Sequence, residues 1–257
     1  MLKIGVLDSG IGGLTTCCAI FRRIGEVEIE YYADNKNAPY GTAKRRNVRR
    51  AVERGTEYLI SLGAEVVVLA CNTATALAVS ALRKRFKNTA IIGIEPALKP
   101  ALSAGGKTLL LATPKTLSAK KFVKILAANS SITIADTPSL ASEIEAVSLA
   151  PEDLNVLARR VARLSLGSNN LVLGCTHYCL LESCIQRLCP NIEVFDGNVG
   201  VAERMASVLG IASIEASGIC RVNVYFSGRD ESEKYKSVLN YLEPDLNFSV
   251  QNFKLSN

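Results

Sequence analysis

Short apolar runs rich in β-branched residues punctuate the chain, and they constrain its fold more than any other feature. IGVLD (4–8), IEYYA (29–33), VVVLA (66–70), AIIGI (90–94) and TLLLA (108–112) read as strands, as do ITIAD (132–136), LVLGC (171–175), IEVFD (192–196) and VNVYF (222–226). Helix-patterned stretches fill most gaps, among them Asn47–Leu62, Ala74–Phe86, Ser139–Ser148 and Glu152–Leu166. Strands that are apolar on both faces need cover on both sides, and strands separated by helices pair in parallel. The expectation is an α/β fold with mainly parallel sheets.

An internal echo sharpens this. VVVLACNTATALA (66–78) parallels NLVLGCTHYCLL (170–181): an apolar strand, a small residue, a cysteine, Asn or Thr, then a helix. KIGVLDSG (3–10) parallels KTLLLATPKT (107–116), and Cys71 follows Asp8 at nearly the separation at which Cys175 follows Thr113. Two matched strand ends predict two copies of one α/β unit. With 257 residues, 48% of them apolar, the chain can bury two such cores.

Parallel sheets bind ligands beyond the carboxyl ends of their strands, where following helices present unpaired N–H groups. Asp8, Cys71, Thr113 and Cys175 occupy such ends. If the two units face each other, the two cysteines approach one cleft from opposite sides. DSGIGGL (8–14) places Gly10, Gly12 and Gly13 after a strand, but a dinucleotide fingerprint needs glycine where Thr15 stands. The glycines are read as permitting a tight turn and close backbone approach, with Asp8 and Ser9 projecting into the cleft. APYGTA (38–43) fits either an ordinary turn or a loop that offers N–H groups to a carboxylate.

Composition narrows the function classes. Eight cysteines without an export leader at the start of the chain are read as reduced thiols in an intracellular, cytoplasmic protein. Cys17, Cys18, Cys184, Cys189 and Cys220 are read as core filling. No apolar run is long enough to span a membrane. The net charge is +6, and KRRNVRR (44–50) carries much of the excess. One short basic run is read as a solvated helix face rather than a nucleic-acid site, and a mild positive field suits a small anionic substrate.

LVLGCTHYCLL (171–181) brings together Cys175, Cys179 and His177, the single histidine. A zinc site needs a second ligand cluster, and Cys71 has no ligand nearby, so no metal is expected. A redox Cys-x-x-Cys pair is absent. A single-nucleophile hydrolase leaves the matching Cys71 idle. Two facing thiols suit racemisation: a thiolate removes an α-proton on one face of an amino acid, and a thiol returns one on the other. Asp8 stands on the Cys71 side and His177 on the Cys175 side as candidate assistants.

DSGIGGL (8–14), APYGTA (38–43), ACNTA (70–74), GIEP (93–96) and LGCTHY (173–178), in this order, resemble the glutamate racemase family of the aspartate/glutamate racemase superfamily. ATPKT (112–116) and the stretch around Glu145 match more loosely. The resemblance implies two pseudosymmetric α/β domains, 1–95 plus 206–257 and 96–205, with the active site in the cleft between them. It implies Cys71 and Cys175 as the catalytic thiols, acting on D- and L-glutamate respectively, with Asp8 and His177 assisting. Ser9, Tyr40, Gly41, Asn72, Thr73, Thr113, Thr116 and Thr176 fall on substrate contacts, alongside Asp8 and His177. It implies interconversion of L- and D-glutamate without a cofactor, supplying D-glutamate for peptidoglycan. Cys179 replaces the family's usual proline and is read as packing. Racemisation of aspartate or another amino acid is the alternative, and a zinc- or nucleic-acid-binding protein is the competing class. The expected partner is a small-molecule substrate, with no nucleic acid and no membrane; a homodimer stays open.

Overall fold

Every strand pairing is parallel, and every anticipated strand forms, in the computed structural model, which describes residues 1–147, 150–212, 219–243 and 248–254. The first unit runs β1 (Leu2–Asp8), α1 (Leu14–Ile24), β2 (Val27–Ala33), α2 (Arg45–Ser61), β3 (Val66–Leu69), α3 (Asn72–Arg85) and β4 (Ala90–Gly93). Helix α4 (Leu98–Ala104) crosses to the second unit. That unit runs β5 (Thr108–Ala112), α5 (Pro114–Leu117), α6 (Lys120–Ala127), β6 (Ile132–Ala135), α7 (Leu140–Ala146), α8 (Pro151–Leu164), β7 (Asn170–Gly174), α9 (Thr176–Cys179), α10 (Glu182–Leu188) and β8 (Glu193–Asp196). Helix α11 (Asn198–Leu209) crosses back and packs on α1, and β9 (Cys220–Phe226), α12 (Ser232–Leu242) and β10 (Phe248–Lys254) follow.

Strand order makes the duplication explicit. The four-stranded sheet is β6-β5-β7-β8, and the six-stranded sheet is β10-β9-β2-β1-β3-β4. Removing β9 and β10 leaves β2-β1-β3-β4, the order of the smaller sheet. Register refines the equivalence read from sequence. Leu7 pairs Leu69 and Ala112 pairs Gly174. Counting on from these pairs, Ser9 lies level with Cys71 as Thr113 lies level with Cys175. Ser9, and not Asp8, is therefore the counterpart of Thr113.

Helices α2, α3, α7 and α8 fall on the four anticipated stretches, with small differences at their ends; Ser148 lies outside the described residues. Strand β10 was not anticipated, because FSVQNFK interleaves polar residues and offers no continuous apolar run. One apolar cluster runs from Ile4, Val6, Ile29 and Val68 through Ile11 and Leu14 to Leu111, Leu171 and Leu173. The two sheets thus share a core, and close packing fixes how their strand ends face each other.

Among the described residues no helix is long and apolar enough to cross a membrane. The basic run opens α2, where Arg45, Arg46, Arg49 and Arg50 are exposed and Val48 points inward. Arg49 Nε also donates to Leu77 O at 2.8 Å. A solvated face of this kind gives binding that falls steeply with salt. Fluorescence anisotropy with duplex DNA is expected to show no saturable binding at physiological salt; tight binding there would reinstate a nucleic-acid role.

Candidate active site

The two cysteines occupy the same local structure in the two copies. Cys71 is the N-cap of α3 and Cys175 the N-cap of α9, both with extended backbone (φ −81°, ψ 121° and φ −146°, ψ 135°). The first bond of α3 runs from Thr75 N to Cys71 O at 3.0 Å. The N–H groups of Asn72, Thr73 and Ala74 therefore have no intrahelical acceptor and open toward the strand end.

Both thiols line one cavity of about 540 Å³. They are 7% and 8% exposed, so they reach it from otherwise packed surroundings. Ser9, Tyr40, Gly41, Thr73, Thr113 and His177 also line it. Asp8, Asn72, Thr116 and Thr176 stand behind its wall. Thr116 is fully buried and reaches the cavity only through Thr113, whose Oγ1 lies 3.0 Å from its own. Thr113 Oγ1 also meets Thr73 Oγ1 at 2.9 Å, joining the two units across the cleft. The Tyr40 hydroxyl donates to Asp34 Oδ2 at 2.5 Å, and Lys115 Nζ donates to Gly41 O at 2.6 Å. The Ala38–Pro39 peptide that shapes the loop is cis.

Asp8 is a second bridge between the units. Its Oδ2 accepts from Thr176 Oγ1 at 3.0 Å and its Oδ1 from Gly10 N at 3.0 Å. Burial pushes its carboxyl up, against His177 and these two donors. Burial and the nearby Asp8 charge push the Cys71 thiol well up, against N–H donors from Ala74 and Thr73. His177 Nδ1 lies 4.0 Å from Cys175 Sγ, and its Nε2 lies 2.6 Å from Glu145 Oε2. Burial alone would push this imidazole down, but its bonds to Cys175 and Glu145 outweigh burial and hold it well above the ordinary histidine value. The surroundings thus favour the protonated form of Cys71 on one side of the cavity and the protonated form of His177, beside Cys175, on the other. Cys179 turns away, its Sγ donating to Cys175 O at 3.7 Å.

Known proteins resemble the chain over most of its length. Residues 17–205 match the Asp/Glu/Hydantoin racemase family. The chain belongs to that family. It is 32% identical over 252 residues to a glutamate racemase of Halothermothrix orenii, spanning 94% of this chain and 99% of the relative. A glutamate racemase of Pseudomonas aeruginosa is 37% identical over 223 residues, 84% of each chain. A solved glutamate racemase isoform of Bacillus anthracis superimposes with a TM-score of 0.77 at 26% identity, covering 99% and 98% of the two chains.

In this racemase the glycines of DSGIGGL serve contact rather than unusual dihedrals, since none of the three has positive φ. A Cβ on Gly12 would lie 2.6 Å from His177 N, and one on Gly10 would lie 2.1 Å from Glu145 Oε2. The loop after β1 thus presses directly on the turn that carries Cys175. Sequence reasoning left Glu145 in doubt and missed Lys234; the two form an ion pair at the cavity wall. Burial pushes the Glu145 carboxyl up, yet His177 and Lys234 together hold it down at about 2.

Proposed function

We propose that this racemase interconverts L- and D-glutamate by passing the α-proton between Cys71 and Cys175, with no cofactor or metal, and supplies D-glutamate for peptidoglycan in the cytoplasm. The observation that carries the reading is the pair of thiols at the same N-cap position of two copies of one unit, opening on a single cavity. From L-glutamate, Cys175 takes the α-proton while the Cys71 thiol delivers one to the opposite face; from D-glutamate the roles exchange. Asp8 assists on the Cys71 side and His177 on the Cys175 side.

Removing the α-proton sends negative charge into the α-carboxylate, so donors aimed there stabilise the transition state. The N–H groups at the start of α3, two of which also point at the Cys71 thiol, are suited to this. Asn72 Nδ2, a buried donor with no hydrogen-bond partner, is a further candidate if its side chain turns toward the substrate. Ser9, Tyr40, Gly41, Thr73 and Thr113 complete the proposed contacts, Tyr40 through its backbone, with Thr116 holding Thr113 and Thr176 holding Asp8 from behind the wall. The division into 1–95 plus 206–257 and 96–205 belongs to the same proposal, although the packing of α11 on α1 favours drawing the later boundary near Gly197. Residues 213–218, 244–247 and 255–257 of the first part lie outside the described residues.

The test is circular dichroism of L- and D-glutamate incubated separately with purified protein, free of pyridoxal phosphate and treated with chelator. Both signals are expected to decay to zero, with parallel aspartate samples far slower. Stable glutamate signals, or activity that returns only with an added metal, would sink the proposal.

A further inference from the structure

Lys234 sits in the first turn of α12 (Ser232–Leu242). A lysine there opposes the helix dipole, so the position does not serve the helix. Its Nζ instead crosses to the other unit and donates to Glu145 Oε1 on α7. Glu145 Oε2 accepts from Ile11 N at 3.0 Å and bonds His177 Nε2 at 2.6 Å. Three segments distant in sequence therefore converge on this one carboxylate of α7: the loop after β1, α9 and α12. A carboxylate held by one oxygen can swing about its terminal torsion, whereas one held by both is fixed in plane.

We propose that Lys234 is a positioning residue for racemisation, anchoring Glu145 Oε1 so that Oε2 keeps His177 turned toward Cys175. The inference rests on the racemase reading of the cavity. The charged and titratable groups facing Glu145 and His177 are Lys234 and Tyr235 from α12, Asp8 from β1, Tyr31 from β2 and Cys175 from the turn after β7. Two consequences of removing Lys234 have opposite signs. Deleting a cation near His177 would by itself strengthen the hold of His177 on its proton. Releasing Glu145 from His177 removes the partner that offsets the burial of the imidazole, so His177 loses its proton at lower pH. Positioning predicts that the second consequence dominates.

The experiment compares wild type, Lys234→Met, Lys234→Arg, Glu145→Gln and the double variant Lys234→Met/Glu145→Gln. In Lys234→Met, kcat is expected to fall roughly tenfold, short of the roughly 10²–10⁴-fold loss of a directly acting acid/base group, with KM nearly unchanged. The alkaline limb of its kcat–pH profile moves to lower pH. Lys234→Arg restores most of both. In the Glu145→Gln background the lysine substitution adds little, because the two residues act as one unit. Unchanged kcat and profile, a limb displaced to higher pH, or an equal loss in the Glu145→Gln background overturns the proposal. Far-UV circular dichroism checks folding, and Lys234→Ala gives the same reading if the methionine variant misfolds. Wild-type activity on glutamate tests the functional reading by itself. If the wild type inverts a different acidic amino acid, the Lys234 comparison is made on that acid.

Discussion

Cys71→Ala and Cys175→Ala are each expected to lower racemisation by at least about 10³-fold while leaving the fold intact. General acid/base groups contribute roughly 10²–10⁴-fold, and in the proposed mechanism each thiol is the only proton carrier on its face. Cys→Ser is expected to be nearly as damaging, since a hydroxyl is a far weaker acid than a thiol. The two enantiomers have equal free energy in water, so kcat/KM must be equal in both directions for every variant. A bias between faces is therefore visible only in a partial reaction. Exchange of the α-proton with deuterium oxide, followed by NMR without waiting for inversion, supplies one. Cys175→Ser should exchange D-glutamate faster than L-glutamate, and Cys71→Ser the reverse. Cys184→Ala, which alters a buried thiol away from the cavity wall, is the control. The two-thiol mechanism fails if either alanine variant, properly folded, racemises near the wild-type rate.

Gly12→Ala is the second large effect, and it needs no chemistry to be removed. The added methyl would meet His177 N at 2.6 Å, Thr176 C at 2.7 Å and Thr176 Oγ1 at 2.7 Å. Two of these atoms are backbone, so no side chain can swing aside to relieve the contact. Gly12 has ordinary negative φ, so backbone strain is not the cause. Overpacking costs about 1–3 kcal/mol. A displacement of about 1 Å at a reacting group costs on the order of 10²-fold in rate. The expected result is a modest fall in the thermal midpoint with a loss of kcat of about 10²-fold, because the turn that yields is the one carrying Cys175. Gly200→Ala in α11 is the contrast: its Cβ would meet nothing within 4 Å. It should leave kcat unchanged and, by helix propensity, add up to about 1 kcal/mol of stability. A Gly12→Ala variant with wild-type kcat would show that the loop and the turn move independently.

What was legible in the sequence is what local pattern encodes. Continuous apolar runs mark central parallel strands because both faces are buried, and a cysteine just past such a run marks a strand end. The duplication was legible for the same reason, although pairing Asp8 with Thr113 missed the register by one residue. That error arose because the echo aligns motifs, whereas the hydrogen-bond ladder aligns backbones. Strand β10 escaped because its polar residues break the run. The Glu145–Lys234 pair escaped because its members lie far apart in the chain and Lys234 belongs to no motif; the local hints are the loose family match around Glu145 and a lysine misplaced against a helix dipole. The cavity wall also differs from the expected contact set, since Asp8, Asn72, Thr116 and Thr176 stand one layer back.

The shared strand order has a consequence for how such a site can arise. A self-associating single copy of the unit would assemble two thiols by symmetry, but their neighbours would be identical. Joined in one polypeptide, the copies are free to diverge. At matched positions the chain now has Thr73 against His177, and Asp8 against Ala112. A proton relay needs one thiol charged while the other is not. Covalent duplication removes the degeneracy between those two states, which an exactly symmetric dimer would have to break anew in every turnover.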